Sequence, residues 1–272
     1  MWNLLKAELL KLRRCQILLV GLTALALCPL AQYGSQLIIA PEYRNPNYDF
    51  PKLFETVVWG NTQIFLPISL VMIGGWLIDR ESAHDTLKNI MTVPVSMPKF
   101  LGVKLLLTGM LSLLLGIYSV GVTLITGLAA GLTGLTAEAF FHCSIQVVSA
   151  ALTTYLVCMP LILLFGQIRG AYLSGSILTF FLGYSMLFLK GGALANLYPF
   201  SAALILVGFD MREYAGTAAP PDPLLAAAGI GSMLLWTLVL LKLSAAKKEM
   251  RPQRRTHPQS RTKQAMCRRH KR

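Results

Sequence analysis

The sequence predicts an all-α, polytopic membrane protein with six transmembrane helices, an N-terminal amphipathic interface helix and a re-entrant outer segment between spans five and six. Three observations carry that expectation. Hydrophobic residues make up 54% of the chain and charged residues only 14%, whereas a soluble domain needs about 25% charge to cover its surface. The charges gather into short clusters with long uncharged runs between them. Those clusters are also lopsided: if both termini are inside, the inner segments hold 21 of the 25 Lys and Arg, as the positive-inside bias requires.

Residues 1–14, MWNLLKAELLKLRR, place Trp2, Leu5, Leu9 and Leu12 at helical spacing, with Lys6, Lys11, Arg13 and Arg14 supplying cations. They read either as an amphipathic interface helix at the inner membrane surface or as the first turns of span one. A six-span domain over residues 15–246 follows, with spans near 16–39, 57–78, 104–132, 142–167, 171–189 and 223–243. About 20 apolar residues, rising about 1.5 Å each, cross a hydrocarbon core of about 30 Å. Leu25-Ala26-Leu27-Cys28 only faintly resembles a lipoprotein cleavage box, because Leu27 is bulky and Pro29 follows, so this segment reads as a retained first span.

A seventh uncharged run, residues 191–209, qualifies by length but not by charge. Seven crossings would carry the C-terminal tail, with 12 Lys and Arg, to the outer side. The run opens with Gly191-Gly192, contains Asn196 and carries Pro199 within it, and proline interrupts a helix. It is therefore expected as a re-entrant or surface-lying helical pair packed on neighbouring spans. In this topology seven of the 12 acids (Glu42, Asp49, Glu55, Glu138, Asp210, Glu213 and Asp222) lie outside. Residues 247–272 read as a basic, disordered cytoplasmic tail. Most of the net charge of +13 gathers there, and the lipid bilayer, not nucleic acid, is the expected counter-charge.

Several function classes are disfavoured. No ionisable residue stands at mid-depth in a span, which argues against a proton-driven carrier. Ser174 and Ser176 have no membrane-embedded histidine to act as base, so intramembrane proteolysis lacks its machinery. There is no GxxxxGK[ST] loop for ATP. The five cysteines (Cys15, Cys28, Cys143, Cys158 and Cys267) show no ligand spacing, so neither a metal site nor a disulfide framework is expected. No catalytic, cofactor-binding or metal residue is expected on this chain, and its energy source lies elsewhere.

The informative connection is the loop at residues 79–103. Asp85 and Thr86 are placed to cap a short helix with Leu87, Ile90 and Met91 on one side. Pro94 and Pro98 stop it, and Lys99 and Lys104 anchor the start of span three. His84 reads as a solvent-facing loop residue. The stretch is either a solvated connection or a docking helix for a soluble partner.

An acid at the end of span two, then Asp85-Thr86-Leu87-Lys88, then Pro94-Val95-Ser96 and a lysine entering span three form an order of features. Together with the opening Leu4-Leu5-Lys6-Ala7-Glu8-Leu9-Leu10-Lys11-Leu12, the six-span plan and the broken run after span five, that order resembles the permeases of ABC type 2 transporters. Many relatives carry Gly where Asp85 stands and Arg soon after the serine, where this chain has Met97-Pro98-Lys99. The resemblance implies a non-enzymatic permease subunit of an ATP-driven exporter in the bacterial cytoplasmic membrane, with both termini cytoplasmic. It implies a separate cytoplasmic ABC ATPase, which holds the ATP and Mg, and a second permease copy or paralogue. Within the class the sequence is most similar to lantibiotic- or bacitracin-type self-protection permeases, which implies peptide-antibiotic export and resistance.

On the same resemblance, Glu81, Asp85, Thr86, Leu87, Lys88, Asn89 and Ile90 form the ATPase-coupling contact. Glu8, Leu9, Lys11 and Leu12 belong to the interface helix. Gly127 and Gly131 form a GxxxG that serves either the dimer or packing within one subunit. Asn196, Tyr198, Pro199 and Phe200 form an outer gate, or the aromatics belong to an interfacial belt. A non-transporting membrane scaffold or assembly protein, and a passive channel or sodium-coupled carrier, remain the alternatives. Spans of Leu, Ala, Gly and Val carry no charge that names a cargo.

Overall fold

The computed structural model describes residues 2–12, 16–43, 47–83, 96–189, 191–215 and 220–249. Among them every regular element is helical. Helix α1 is Trp2–Leu12 and α2 is Ile17–Ile38. Helix α3, Phe50–Gly60, runs through a π-turn at Asn61–Phe65 into α4, Leu66–Ala83. Helix α5 is Met97–Ala129, α6 is Ala137–Gly166 and α7 is Tyr172–Tyr184, which tightens into a 3-10 turn at Ser185–Phe188. The expected broken segment is two short helices, α8 Ala193–Leu197 and α9 Pro199–Leu206, with Tyr198 extended between them. A single turn, α10 Arg212–Ala215, precedes α11, Pro223–Glu249.

Five stretches are long and apolar enough to cross a membrane: Ile17–Ile38, Phe50–Glu81, Met97–Ala129, Ala137–Gly166 and Pro223–Ser244. Tyr172–Phe188 is shorter. At the usual rises it is roughly 28 Å long, close to the thickness of the hydrocarbon.

Several helices extend past the apolar runs that mark them in the sequence. The reason is local. Asp49 caps α3 by accepting the Lys52 N–H at 3.0 Å, and Thr136 caps α6 by accepting the Ala139 N–H at 3.3 Å. A cap fixes where backbone donors first need a partner, and that point lies outside the hydrocarbon. The loop expected at 79–103 shortens accordingly, being helical to Ala83 and again from Met97. The intervening coupling residues Asp85, Thr86, Leu87, Lys88, Asn89 and Ile90, with His84, lie outside the described residues. So does the tail beyond Glu249, although α11 continues past residue 247, where the tail was expected to begin.

Hydrogen bonds sort the helix ends into two poles. At the basic pole Glu8 of α1 meets Arg80 of α4 and Lys104 of α5. Asp79 accepts the Gly170 N–H at 3.2 Å, and the Ser244 hydroxyl donates to Gln167 at 2.8 Å. At the opposite pole the Phe50 N–H donates to Thr133 O at 3.0 Å, Lys52 meets Glu213, and Asn196 donates to Pro220 O at 3.3 Å. The long helices alternate between these poles, so α1 and the end of α11 share one.

The core is centred on the α3–α4 unit. An 18-residue window of Phe50–Glu81 is 78% buried, against 22% for Ile17–Ile38 and for Pro223–Ser244. Around it α4 packs on α2, α5, α6 and α7. The outer faces of α2 and α11 leave Leu19, Leu27, Leu30, Leu235, Trp236 and Leu238 exposed, as lipid-facing helices do.

Close helix approach rests on glycine at particular points. A Cβ at Gly183 of α7 would run into the carbonyl oxygen of Gln63, whereas one at Gly121 of α5 would meet nothing within 4 Å. Gly183→Ala should therefore lower stability by about 1–3 kcal/mol through overpacking. Gly121→Ala should raise it by up to about 1 kcal/mol through helix propensity. Thermal unfolding midpoints in detergent, compared with the parent, check both directions.

Candidate functional site

Five ionic side chains from three elements converge at the basic pole. Glu8 and Glu81 are 1% and 4% exposed, and Lys104 is 1% exposed. Lys104 Nζ donates to Glu8 Oε2 and lies 3.3 Å from Glu81 Oε1. Lys11 Nζ bridges the same two acids at 2.8 Å and 3.0 Å. Arg80 reaches Glu8 at 3.2 Å and Glu81 at 3.5 Å. Its guanidinium lies over the Trp76 ring, and Lys104 lies over Phe100. Asp79, next to Arg80 in the chain and 6% exposed, is held by the Gly170 N–H.

The elements position these groups by simple periodicity. In α1 the buried face is Leu5, Glu8 and Leu12, while Leu9 is 40% exposed. The acid, not a third leucine, therefore sits at the centre of the packed face, with Leu5 and Leu12 buried on either side of it. Burial alone would raise the Glu8 pKa, but hydrogen bonds from Lys104 and Lys11 outweigh it and hold the carboxyl below the usual carboxylate range. Burial works against the Lys11 charge too, and Glu8 and Glu81 overcome it, so its pKa lies above the ordinary lysine value.

This arrangement corrects one expectation. Lys104 does not anchor span three at the membrane surface; it is enclosed, because two carboxylates are available to it and water is not. Glu81, expected in the coupling contact, also holds Lys11, Arg80 and Lys104 of its own chain.

A second polar feature lies where the sequence suggested only apolar span. The π-turn brings Asn61, Thr62 and Gln63 inside, at 1%, 0% and 4% exposure. Leu66 N–H reaches back to Asn61 O across the turn, and Asn61 Nδ2 donates to Ser119 of α5 at 2.9 Å. Asn61 Oδ1, the Thr62 hydroxyl and the Gln63 amide nitrogen find no partner among the described residues. Burying uncharged polar groups without hydrogen-bond partners is costly, and π-turns gather at working sites. The signal was visible as Asn-Thr-Gln inside an apolar run; a search confined to ionisable residues passes over it.

The remaining candidate residues are dispersed. Gly127 faces the Phe50 ring of its own chain. Gly131 lies beyond the end of α5 with φ of 68° and shares no helical face with it. A positive φ suits glycine, so Gly131 closes the helix. At the opposite pole Tyr198 bonds Leu182 O at 2.5 Å and Ser185 at 2.7 Å, tying the break between α8 and α9 to the end of α7. Pro199 starts α9, Phe200 is buried, and Asn196 holds Pro220 O. Nearby, Lys52 bridges Glu55 at 3.0 Å and Glu213 at 2.5 Å beneath Tyr214, while Trp59 stacks on Phe209. Among the described residues no group of His, Cys, Asp and Glu is arranged to hold a metal.

A family model described as "ABC-2 family transporter protein" matches residues 4–186. The match covers every element of the ionic cluster and ends before the broken segment and α11. No curated protein and no solved structure matches the chain.

Removing one partner of a buried ion pair strands the others, at about 3–5 kcal/mol. Glu8→Ala should therefore lower the thermal unfolding midpoint clearly, whereas Leu10→Ala, at an exposed site, should not. The pH window follows from the two shifts. A depressed carboxyl contributes stability above the ordinary Glu value of about 4.3, lost as pH falls through its folded pKa. A raised lysine contributes below about 10.4, lost as pH rises through its folded value. A spin label at Leu10→Cys should report a docked α1 throughout the range from about pH 4.3 to about pH 10.4 and gain mobility only beyond those limits.

Proposed function

The chain belongs to the ABC-2 transporter family, and we propose that it is the permease subunit of an ATP-driven exporter, driven at its basic pole by a separate cytoplasmic ATPase. The observation that supports this most is the ionic cluster. It fastens α1 to the end of α4 and the start of α5, the two helices that flank residues 84–95. A force applied to that connection or to α1 would move the three as one body. Because α4 packs on α2, α5, α6 and α7, displacing it changes the bundle throughout, which is what a permease needs from its motor.

In this reading the basic pole is cytoplasmic, consistent with its excess of Lys and Arg, and six crossings return the chain to that side. Lys11 and the exposed side of α1, with Leu87 and its neighbours, form the motor contact. A second permease, copy or paralogue, completes the path. ATP and Mg reside on the ATPase. The Asn61–Gln63 π-turn gives the apolar bundle one place to meet polar cargo. The likeness to self-protection permeases makes amphipathic peptide antibiotics the first cargo to test.

The test is co-purification followed by export. The chain should co-elute with an ATPase encoded beside it, and cells carrying both should resist one of a panel of peptide antibiotics. Leu87→Arg should abolish co-elution and resistance while membrane insertion stays intact. Normal export by that variant would remove the coupling contact. Resistance without ATP hydrolysis would favour a passive channel, and loss of no transport activity on deletion would favour a scaffold.

A further inference from the structure

A cavity of about 300 Å³ lies between α6, α7, α11 and the tip of the broken segment, lined by Val157, Leu161, Leu182, Phe200, Met233 and Trp236 among others. From this lining we propose that the cavity is a binding site for one acyl chain of a bilayer phospholipid, held against the Tyr198-Pro199-Phe200 break.

Depth argues for a hydrocarbon occupant. Met233 lies about 15 Å beyond the start of α11 and Val157 about 14 Å before the end of α6, so the cavity runs along the apolar length of the bundle, from the Tyr198 break at the opposite pole towards Leu164 near the basic-pole end of α6. Its mouth is flanked by Leu164 and Trp236, 44% and 58% exposed, so it opens onto the face the bundle turns to lipid. The walls are apolar. The one hydroxyl among them, on Tyr198, is committed to Leu182 O and Ser185. No charged side chain lines the cavity, and apart from Tyr198 its side-chain donor is the Trp236 indole N–H, too little to hold a phosphate headgroup or a hydrated ion, so the ligand is chain and not headgroup.

Size argues that it is filled. An apolar cavity of roughly 150 Å³ is enough to hold benzene, and this one is twice as large. Each wall atom that faces empty space forfeits its dispersion contacts, and neighbouring acyl chains are at hand to restore them. A chain seated here touches Pro199 and Phe200. It therefore wedges the joint between α8 and α9, and the bilayer becomes part of what sets the position of that segment.

The full-length protein in phosphatidylcholine vesicles, doped with a phospholipid carrying a diazirine midway along one acyl chain, tests this. After illumination, peptide mapping should find labelling at Leu161, Leu164, Met233 and Trp236 about threefold or more above that at Leu19, Leu27 and Leu30, since a resident chain regains contacts a passing one does not. The α2 leucines, 58%, 56% and 55% exposed, provide the matched lipid-facing reference. Leu161→Trp and Met233→Trp, each filling the void, should return the first group to the α2 level in folded, monodisperse protein. Equal labelling of the two groups in the parent overturns the proposal without any variant. Enrichment that persists through both fillings overturns it as well.

Discussion

A carboxylate and an ammonium withdrawn from water must satisfy each other, and at the basic pole that requirement dictates how three elements meet. Glu8 and Glu81 are almost wholly enclosed, as is Lys104. Desolvating any one of them alone would cost several kcal/mol. The interaction is not a reservoir of stability, since a well-packed apolar replacement of the whole set would hold about as well. Its consequence is specificity. Only one placement of α1 and one register of α4 against α5 bring all five groups within reach, so every alternative packing strands a charge.

From that constraint the rest of the bundle follows in order. Fixing the α4–α5 pair positions Asn61 of the π-turn against Ser119, and fixes α7 across the small face at Gly183. The Asp79 contact to Gly170 sets where α7 begins, and Gln167 with Ser244 brings α11 alongside. Polar links therefore recur along the basic pole, while apolar contact, interrupted by Asn61 and Ser119, fills most of the space between poles. The cavity lies where that filling is least complete, beside the proline that breaks the α8–α9 segment.

The helices were largely legible in the sequence because length and apolarity alone decide them. Their limits were less so, because Asp49, Thr136 and Pro98 begin helices outside the apolar runs. The break at residues 191–209 was legible from Gly191, Gly192 and Pro199, and the structure adds Gly208, which leaves the segment with φ of 73°. The ionic cluster was hidden for a different reason. Leucines at helical spacing drew the face of α1 through Leu9, and no local pattern reveals that Glu8 finds Lys104, 96 residues later. The clue available was chemical: a lone acid inside a leucine run and a lone lysine at the start of a span each need a counter-charge. For Gly127 and Gly131, spacing alone could not show that the second glycine lies past the end of α5.

The two poles are held by interactions of unlike strength, and this bears on how the bundle can move. At the basic pole, breaking one buried partner costs about 3–5 kcal/mol. At the opposite pole Lys52 meets Glu55 and Glu213, but Glu213 is 65% exposed on its side chain, and such a pair contributes about 0–1 kcal/mol. Stacking of Trp59 on Phe209 adds about 0.5–1.5 kcal/mol more. The ionic contacts at that pole are therefore the first to part when the bundle moves, while the burial of Phe50, Leu53, Phe54 and Val57 keeps α3 in the core.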